Sequence, residues 1–306
     1  MTVIANSTSA FYERSTMDLS ALRKQAEGLQ KQLGSGSRMA RSSDNPVAAS
    51  RMRVLARRSE FSQVDLGNAN RASADLMLTD TALSSFTDYI GRARELTTQA
   101  ANGTLAAGQR AAIGGELLQI HGSMVALANS RDTTGHALFG GEASGSSYLL
   151  DAGGNAIYAG TASAGDLPLG DGQSVRRGLT GPEFLNFTVN GNPTDLMALV
   201  KGLGEALQGA VADPAQAARD ALDPLNDALD TVTTGQTQIG ARLAWIELTS
   251  ERRTTLSELR SGEEAEIGAT DIAATIAELQ QVMTVLEASQ ASFVRLASLS
   301  LFDLLR

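Results

Sequence analysis

The sequence predicts a mainly α-helical protein: a long rod or coiled-coil bundle formed by the N- and C-terminal halves of the chain, with a small β-rich domain inserted between them. Apolar residues recur at alternating spacings of three and four in both halves, which is the pattern of helices that pack side by side. Aromatic residues make up only 4% of the 306 residues, as in long helices. Residues 139–192 hold 12 of the 30 glycines, which indicates turns and short strands.

The first helix is predicted from an apolar stripe that ends at a turn of small residues. The stripe consists of Leu19, Leu22, Ala26, Leu29 and Leu33. The glycines and serines of residues 34–37 then interrupt the helix, because they favour turns. Asn45 can cap a second helix, and Pro46 suits its first turn, where a missing N–H costs nothing.

Two further helices are predicted before the glycine-rich region. The stripe of the second helix consists of Ala69, Ala72, Leu76, Thr79, Leu83, Phe86, Ile90 and Ala93. The stripe of the third consists of Ile113, Leu117, Ile120, Met124 and Leu127. No proline interrupts the second helix before the turn at residues 102–103, whereas Gly114 and Gly115 are expected to weaken the third helix.

Residues 139–192 are expected to form the β-rich domain. Strand-like pieces lie at residues 148–150, 156–158 and 187–189, between glycine turns. Because this region separates two helical halves and carries none of the long stripes, we expect it to project outward from them.

The second helical half resumes with a stripe between Leu196 and Leu207, followed by a longer one. The longer stripe consists of Leu222, Leu225, Leu229, Val232, Gln236, Ile239, Leu243 and Ile246. An aspartate precedes both Pro214 and Pro224, which is the form of a helix cap followed by a proline. Pro224 therefore either starts the main helix or kinks it.

The last helix is predicted after a charged, glycine-containing break at residues 261–270. Its stripe consists of Ile272, Ile276, Leu279, Met283, Leu286 and, one heptad on, Phe293. The breaks suggest three domains. They are a terminal coiled coil of residues 1–45 and 262–306, a helical rod of residues 46–138 and 193–261, and the β-rich outer domain of residues 139–192.

The composition and motifs argue against an enzyme, a metal protein and a membrane protein. The chain has no cysteine and lacks a nucleophile elbow, a P-loop and an H-E-x-x-H motif. His121 and His136 are expected to have structural or surface roles. No run approaches the roughly 20 apolar residues that a membrane span needs. We therefore expect no catalytic residue, cofactor, metal site or membrane anchor.

The charged segments are each compatible with more than one binding partner. The four arginines between Arg51 and Arg58 could bind the phosphates of a nucleic acid, or they could form a solvated or intersubunit helix face. The net charge of -9 and the absence of neighbouring aromatic side chains favour the second interpretation. Residues 1–60 carry a net charge of +5 and residues 257–306 a net charge of -5, so the ends could pair with each other or with neighbouring copies.

Several motifs resemble those of the bacterial flagellin superfamily. The N-terminal signature is carried by Gly36, Arg38, Asp44, Asn45 and Pro46. It is a serine-glycine turn, an arginine followed by an aliphatic residue, and an acidic residue close before a proline. The segments 286–290 and 299–305, with the interior segments 137–141, 172–176 and 179–184, resemble the hook-associated members of the superfamily more than its filament subunits.

The resemblance implies a structural protein without enzymatic activity, located in the extracellular flagellum between hook and filament. It implies secretion through the flagellar type III apparatus, a cytoplasmic export chaperone and self-association in a ring or helical layer. The implied neighbours are another hook-associated protein on the hook side and flagellin on the filament side, with no nucleic acid or membrane partner. Two alternatives stay open: a filament subunit, and a surface homologue that binds a glycan through its β domain.

The terminal stripes are the expected polymerisation interface. They lie beyond the two breaks, where only each other and neighbouring copies can cover them. The residues expected to form this interface are Leu19, Leu22, Leu29, Leu33, Ile272, Ile276, Leu279, Met283, Leu286 and Phe293. The alternative is an ordinary intramolecular helix hairpin, which would bury the same residues without a partner.

Overall fold

The protein is mainly α-helical, as the sequence predicts. The computed structural model describes the backbone of residues 2–39 and 41–303, and the side chains of residues 10–39 and 41–295. The side chains of the predicted C-terminal motif at residues 299–305 therefore lie outside the described residues. The helices are α1 (Thr2–Ser35), α2 (Pro46–Ala100), α3 (Ala107–Ala128), α4 (Gly181–Leu185), α5 (Leu196–Glu205), α6 (Pro214–Gly268) and α7 (Ile272–Asp303).

Six short strands form three separate antiparallel hairpins within the described residues. The strands are β1 (Tyr148–Leu150), β2 (Ala156–Tyr158), β3 (Asp166–Gly170), β4 (Gln173–Arg176), β5 (Asn186–Val189) and β6 (Asn192–Asp195). The three strand-like pieces predicted from the sequence coincide with β1, β2 and β5. The tight β3–β4 turn places Gly170, Asp171 and Gly172 at positive φ, which two of these residues adopt without steric cost because they are glycines.

The contacts divide the chain into two compact units. We name residues 1–60 with 255–306 the terminal unit, and residues 61–254 the central unit.

The start of α2 was predicted correctly. The side-chain oxygen of Asn45 accepts a hydrogen bond from the backbone N–H of Ala48 at 3.0 Å, so that Asn45 caps the helix that begins at Pro46. Asp213 caps α6 in the same way, through the N–H of Gln216 at 3.0 Å.

The structure decides one expectation for α6 and corrects another. The helix begins at Pro214 and contains Pro224, so Pro224 is not its start. The predicted break at residues 261–270 is also too long, because α6 continues through Gly262 to Gly268. A single exposed glycine costs a helix only about 1 kcal/mol, and the neighbouring glutamates favour helix formation. The glycine-containing charged stretch is therefore compatible with a continuous helix.

The core of the central unit is built on the predicted stripes. Every residue of the α2 stripe from Ala69 to Ala93 is buried. The same buried core contains Leu117 and Met124 of α3 and Val232 and Ile239 of α6. These helices therefore pack along the lines that the spacing of apolar residues predicts.

Residues 139–192 contribute to this core through a cluster of three phenylalanines. Phe86 of α2 contacts Phe184 of α4 with ring centroids 5.3 Å apart, and Phe139 lies 4.8 Å from Phe184. All three side chains are fully buried. The cluster joins a helix of the first half to the segments before and after the first two hairpins.

A second connection is an arginine held between two buried carboxylates. The Nη2 atom of Arg177 lies 3.1 Å from Asp75 Oδ2 and 3.2 Å from Asp132 Oδ2. Although burial opposes ionisation of Asp132, hydrogen bonds from Thr134 and from the backbone N–H of His136 lower its pKa. Arg177 therefore links α2, the loop after α3 and the segment after β4 through charge.

The paired glycines of α3 do not interrupt the helix. A Cβ atom added to Gly114 would lie 2.6 Å from the carbonyl oxygen of Gly204 in α5. A Cβ atom added to Gly115 would lie 3.7 Å from the Gln208 side chain, which is an ordinary contact. Gly114 thus allows α3 and α5 to approach closely, whereas Gly115 has no such role.

We expect Gly114→Ala to destabilise the central unit by about 1–3 kcal/mol, because the helices must move apart. The matched control is Gly115→Ala, which should be neutral or stabilise by up to about 1 kcal/mol through helix propensity. Thermal unfolding followed by circular dichroism compares the two variants. Equal shifts in the same direction would contradict a close approach at Gly114.

Candidate assembly surface of the terminal unit

Helices α1 and α7 pair with each other in the terminal unit. Ala26 and Leu29 of α1 form a small buried cluster with Val282 of α7, and the half-buried Leu22 and Leu279 pack against it. Nearer the chain ends, the rings of Tyr12 and Phe293 meet edge to face, 5.5 Å apart. The two terminal stripes are therefore at least partly covered within one chain.

The residues predicted for the interface fall into two groups. Leu29 and Leu286 are buried, and Leu19, Leu22, Leu33, Leu279 and Phe293 are half-buried. Ile272, Ile276 and Met283 are instead 60%, 42% and 38% exposed. The structure thus brings the first group toward the α1–α7 contact and leaves the second group at the surface.

Helix α7 carries two apolar lines rather than one. The inner line consists of Thr275, Leu279, Val282, Leu286 and Phe293. The outer line consists of Ile272, Ile276, Met283 and Val294. The interface predicted from the sequence combined members of both lines and lacked Thr275 and Val282. The regular spacing of four, three and four at residues 275–286 is the signal that could have identified the inner line.

The connector between α1 and α2 (residues 36–45) pairs with the connector between α6 and α7 (residues 269–271). Ser37 and Ala269 form an antiparallel β-bridge. The backbone N–H of Arg38 donates to the carbonyl of Gly268 at 2.8 Å, and that of Thr270 donates to Gly36 at 3.0 Å. Backbone hydrogen bonds therefore hold the two connectors together, and we name this paired structure the joint.

The signature residues shape this joint. Gly36 adopts a φ of +67°, which favours glycine. Asp44 Oδ2 accepts a hydrogen bond from the N–H of Arg41 at 2.8 Å and so closes a turn before α2. Gln32 donates to the carbonyl oxygen of Arg38 at 3.1 Å, which holds the connector against the end of α1.

The first turns of α2 pack against the last turns of α6 in the same unit. Arg51 makes a bidentate ion pair with Glu263, with distances of 2.5 and 2.8 Å. The hydrogen bond between them raises the pKa of Arg51 and lowers the pKa of Glu263. Ala49 and Leu55, in the same turns of α2, are buried.

The two histidines have different surroundings: His121 is buried, and His136 Nδ1 lies 2.7 Å from the Thr134 hydroxyl. Burial, followed by the charge of Lys201, lowers the pKa of His121, and its Nε2 atom has no hydrogen-bond partner among the described residues. In the described part of the chain, no three His, Asp or Glu side chains are grouped so that they could hold a metal ion. None of the described helices is long and apolar enough to span a membrane.

Comparison with known proteins identifies relatives of the chain. Residues 7–144 match the family model of the bacterial flagellin N-terminal helical region. Flagellar hook-associated protein 3 of Escherichia coli (strain K12) is 27% identical over 317 aligned residues, which cover 97% of this chain and 98% of that protein.

Two solved structures share the fold. The flagellar junction protein FlgL of Legionella pneumophila has a TM-score of 0.58 at 14% identity, and the match covers 71% of this chain and 99% of that one. FlgL of Xanthomonas campestris has a TM-score of 0.56 at 20% identity, with 67% and 99% covered. The full-length relative, the family model and the shared fold agree with the signature at residues 36–46. The chain is therefore similar to a flagellar hook-associated protein over almost its whole length, and its residues 7–144 are similar to the flagellin N-terminal helical region.

Proposed function

We propose that this structural protein of the bacterial flagellum forms the junction layer between hook and filament, and that copies associate through the outer line of α7. The single observation that carries the proposal is the pair of apolar lines on α7. Ile272, Ile276 and Met283 stay exposed while the neighbouring line is covered by α1.

The energetics favour a partner for the outer line. Complete burial of one large aliphatic side chain is worth about 1.5 to 3 kcal/mol, and these side chains are only partly covered in the single chain. An intramolecular hairpin accounts for the inner line alone. Association of copies accounts for the outer line as well, so the two arrangements are complementary rather than exclusive.

The remaining parts of the function follow from the superfamily resemblance. The proposal includes export through the flagellar type III apparatus with a cytoplasmic chaperone, and no catalysis. It places a hook-associated neighbour on one side of the layer and flagellin on the other. It also retains the division into a terminal coiled coil, a helical rod and an outer domain at residues 139–192.

The double variant Ile276→Asp and Met283→Asp tests the proposal in cells that lack the wild-type chain. Carboxylates on the outer line cannot be buried without a large cost, so we expect filaments to be lost and motility to fail. The purified variant should unfold at the wild-type temperature, because both side chains are exposed in the single chain.

The matched control is Ala277→Asp with Thr284→Asp, which introduces the same charges at the same spacing one residue further along the helix. Both positions are exposed and lie off the outer line, so the control cells should retain filaments. Filament retention by the first variant would contradict the proposed interface. A fall in its unfolding temperature would assign Ile276 and Met283 to the fold of the single chain.

A further inference from the structure

The arginine-rich start of α2 is only partly explained by contacts within the chain. Arg51 pairs with Glu263, but Arg53, Arg57 and Arg58 are exposed, and no ion pair or side-chain hydrogen bond is found for them among the described residues. Val54 lies between these arginines and is 44% exposed. We name Arg53, Val54, Arg57 and Arg58 the basic face.

A surface of opposite charge lies at the end of α6 in the same unit. Glu258 and Glu266 are exposed, and neither has an ion-pair partner in the described part of the chain. Leu259, beside Glu258 and two helical turns before Glu266, is 66% exposed. We name Glu258, Leu259 and Glu266 the acidic face.

The two faces are opposite in charge and similar in composition. Each is a short helical surface with an exposed aliphatic side chain among like charges: Val54 among arginines and Leu259 among glutamates. Residues 46–60 contain four arginines and one glutamate, and residues 255–268 contain four glutamates and one arginine. The Arg51–Glu263 pair shows that the same two segments already form a charge pair within one chain.

We propose that the basic face of one copy docks on the acidic face of a second copy. This inference rests on the proposed association of copies and adds a contact distinct from the outer line of α7. Because the two faces differ, the contact is head-to-tail, which generates a ring or a helical layer rather than a closed pair. Charge complementarity at such a contact fixes the partner and its register.

Charge reversal tests the contact. The acidic variant, Arg57→Glu with Arg58→Glu, presents two acidic faces. The basic variant, Glu258→Arg with Glu266→Arg, presents two basic faces. Each variant alone should fail to retain filaments, whereas cells that make both should retain them, because copies can alternate. The control Arg23→Glu with Lys24→Glu reverses an adjacent exposed pair on α1 and should retain filaments alone.

A covalent test uses the absence of native cysteine. A chain with Val54→Cys and Leu259→Cys should form a ladder of disulfide-linked copies in oxidised flagella, while either single cysteine should not give a ladder. Retention by the acidic variant alone, or failure of the mixed cells, would overturn the proposed contact.

Two further outcomes distinguish this contact from the proposed α7 interface and from binding of a nucleic acid. If the Ile276 and Met283 variant retains filaments but the mixed reversal still rescues assembly, the proposed α7 interface fails and the present contact stands. If purified wild-type chain binds a 20-base-pair DNA duplex, and the acidic variant loses that binding without rescue in mixed cells, the basic face is a nucleic-acid surface and the proposal is wrong.

Discussion

Arg177→Leu is expected to destabilise the central unit by about 1–3 kcal/mol, because it removes the counter-charge of the buried Asp75 and Asp132, although the Arg177 side chain is itself 36% exposed. Both carboxylates now share the Nη2 atom of Arg177, and they are 5% and 9% exposed. Urea unfolding at neutral pH measures the loss as a lower midpoint.

The adjacent Arg176 provides a matched control. It pairs with Glu183 at 2.6 Å, but both side chains are about one-third exposed, at 38% and 31%. Because exposed pairs contribute about 0–1 kcal/mol, Arg176→Leu should have a small effect. Similar losses in both variants would contradict the assigned role of Arg177.

The effect of Arg177→Leu should also depend on pH. In the folded wild type the pKa of Asp132 is lowered, so its ionised form adds stability above the ordinary aspartate pKa, and this stability is lost as the pH falls through the folded pKa. In the variant, Asp132 can relieve the loss of its counter-charge by taking up a proton. The difference between wild type and variant should therefore narrow as the pH approaches about 4.

Phe184→Ala is expected to cost about 3–5 kcal/mol, because it opens a cavity in the fully buried cluster with Phe86 and Phe139. Phe61→Ala is the control, since Phe61 is 63% exposed and its truncation should leave the stability of the single chain nearly unchanged. Circular dichroism at 222 nm reports both variants.

The number of unfolding transitions shows whether residues 139–192 unfold together with the helices of the central unit. The phenylalanine cluster belongs to one continuous core of helices and hairpins, so helix signal should be lost together with the hairpins in a single transition of the central unit. If the helices of that unit stay folded while residues 139–192 unfold, those residues form the separate outer domain that the sequence analysis expects.

The success of the sequence-based predictions depended on how unambiguous each pattern was. The α2 stripe was predicted completely because the line from Ala69 to Ala93 keeps the spacing of three and four throughout and is buried along its whole length. On α7, two neighbouring lines are both apolar, and periodicity alone does not decide which of them a partner helix covers. Val282 was therefore missed, and Ile276 was grouped with Leu279.

Long-range polar contacts could not be predicted from the sequence. Asp75 and Arg177 are 102 positions apart, and no local pattern indicates that they meet. The close approach at Gly114 could not be predicted either. A glycine within a helix is destabilising by helix propensity alone, and its role in packing depends on the position of the partner backbone. The core was thus accessible from local periodicity, whereas the contacts that fix its geometry depend on tertiary structure.

The β-bridge between Ser37 and Ala269 forms only in a chain that contains both connectors. Its hydrogen bonds join backbone groups from the two ends of the sequence, so neither end can complete the joint before the other has been synthesised and delivered. A chain that ends prematurely, anywhere before Gly268, can still contain α1, but it has nothing with which to close the first connector. A chain that lacks residues 268–270 therefore cannot form the backbone hydrogen bonds that hold the two connectors together.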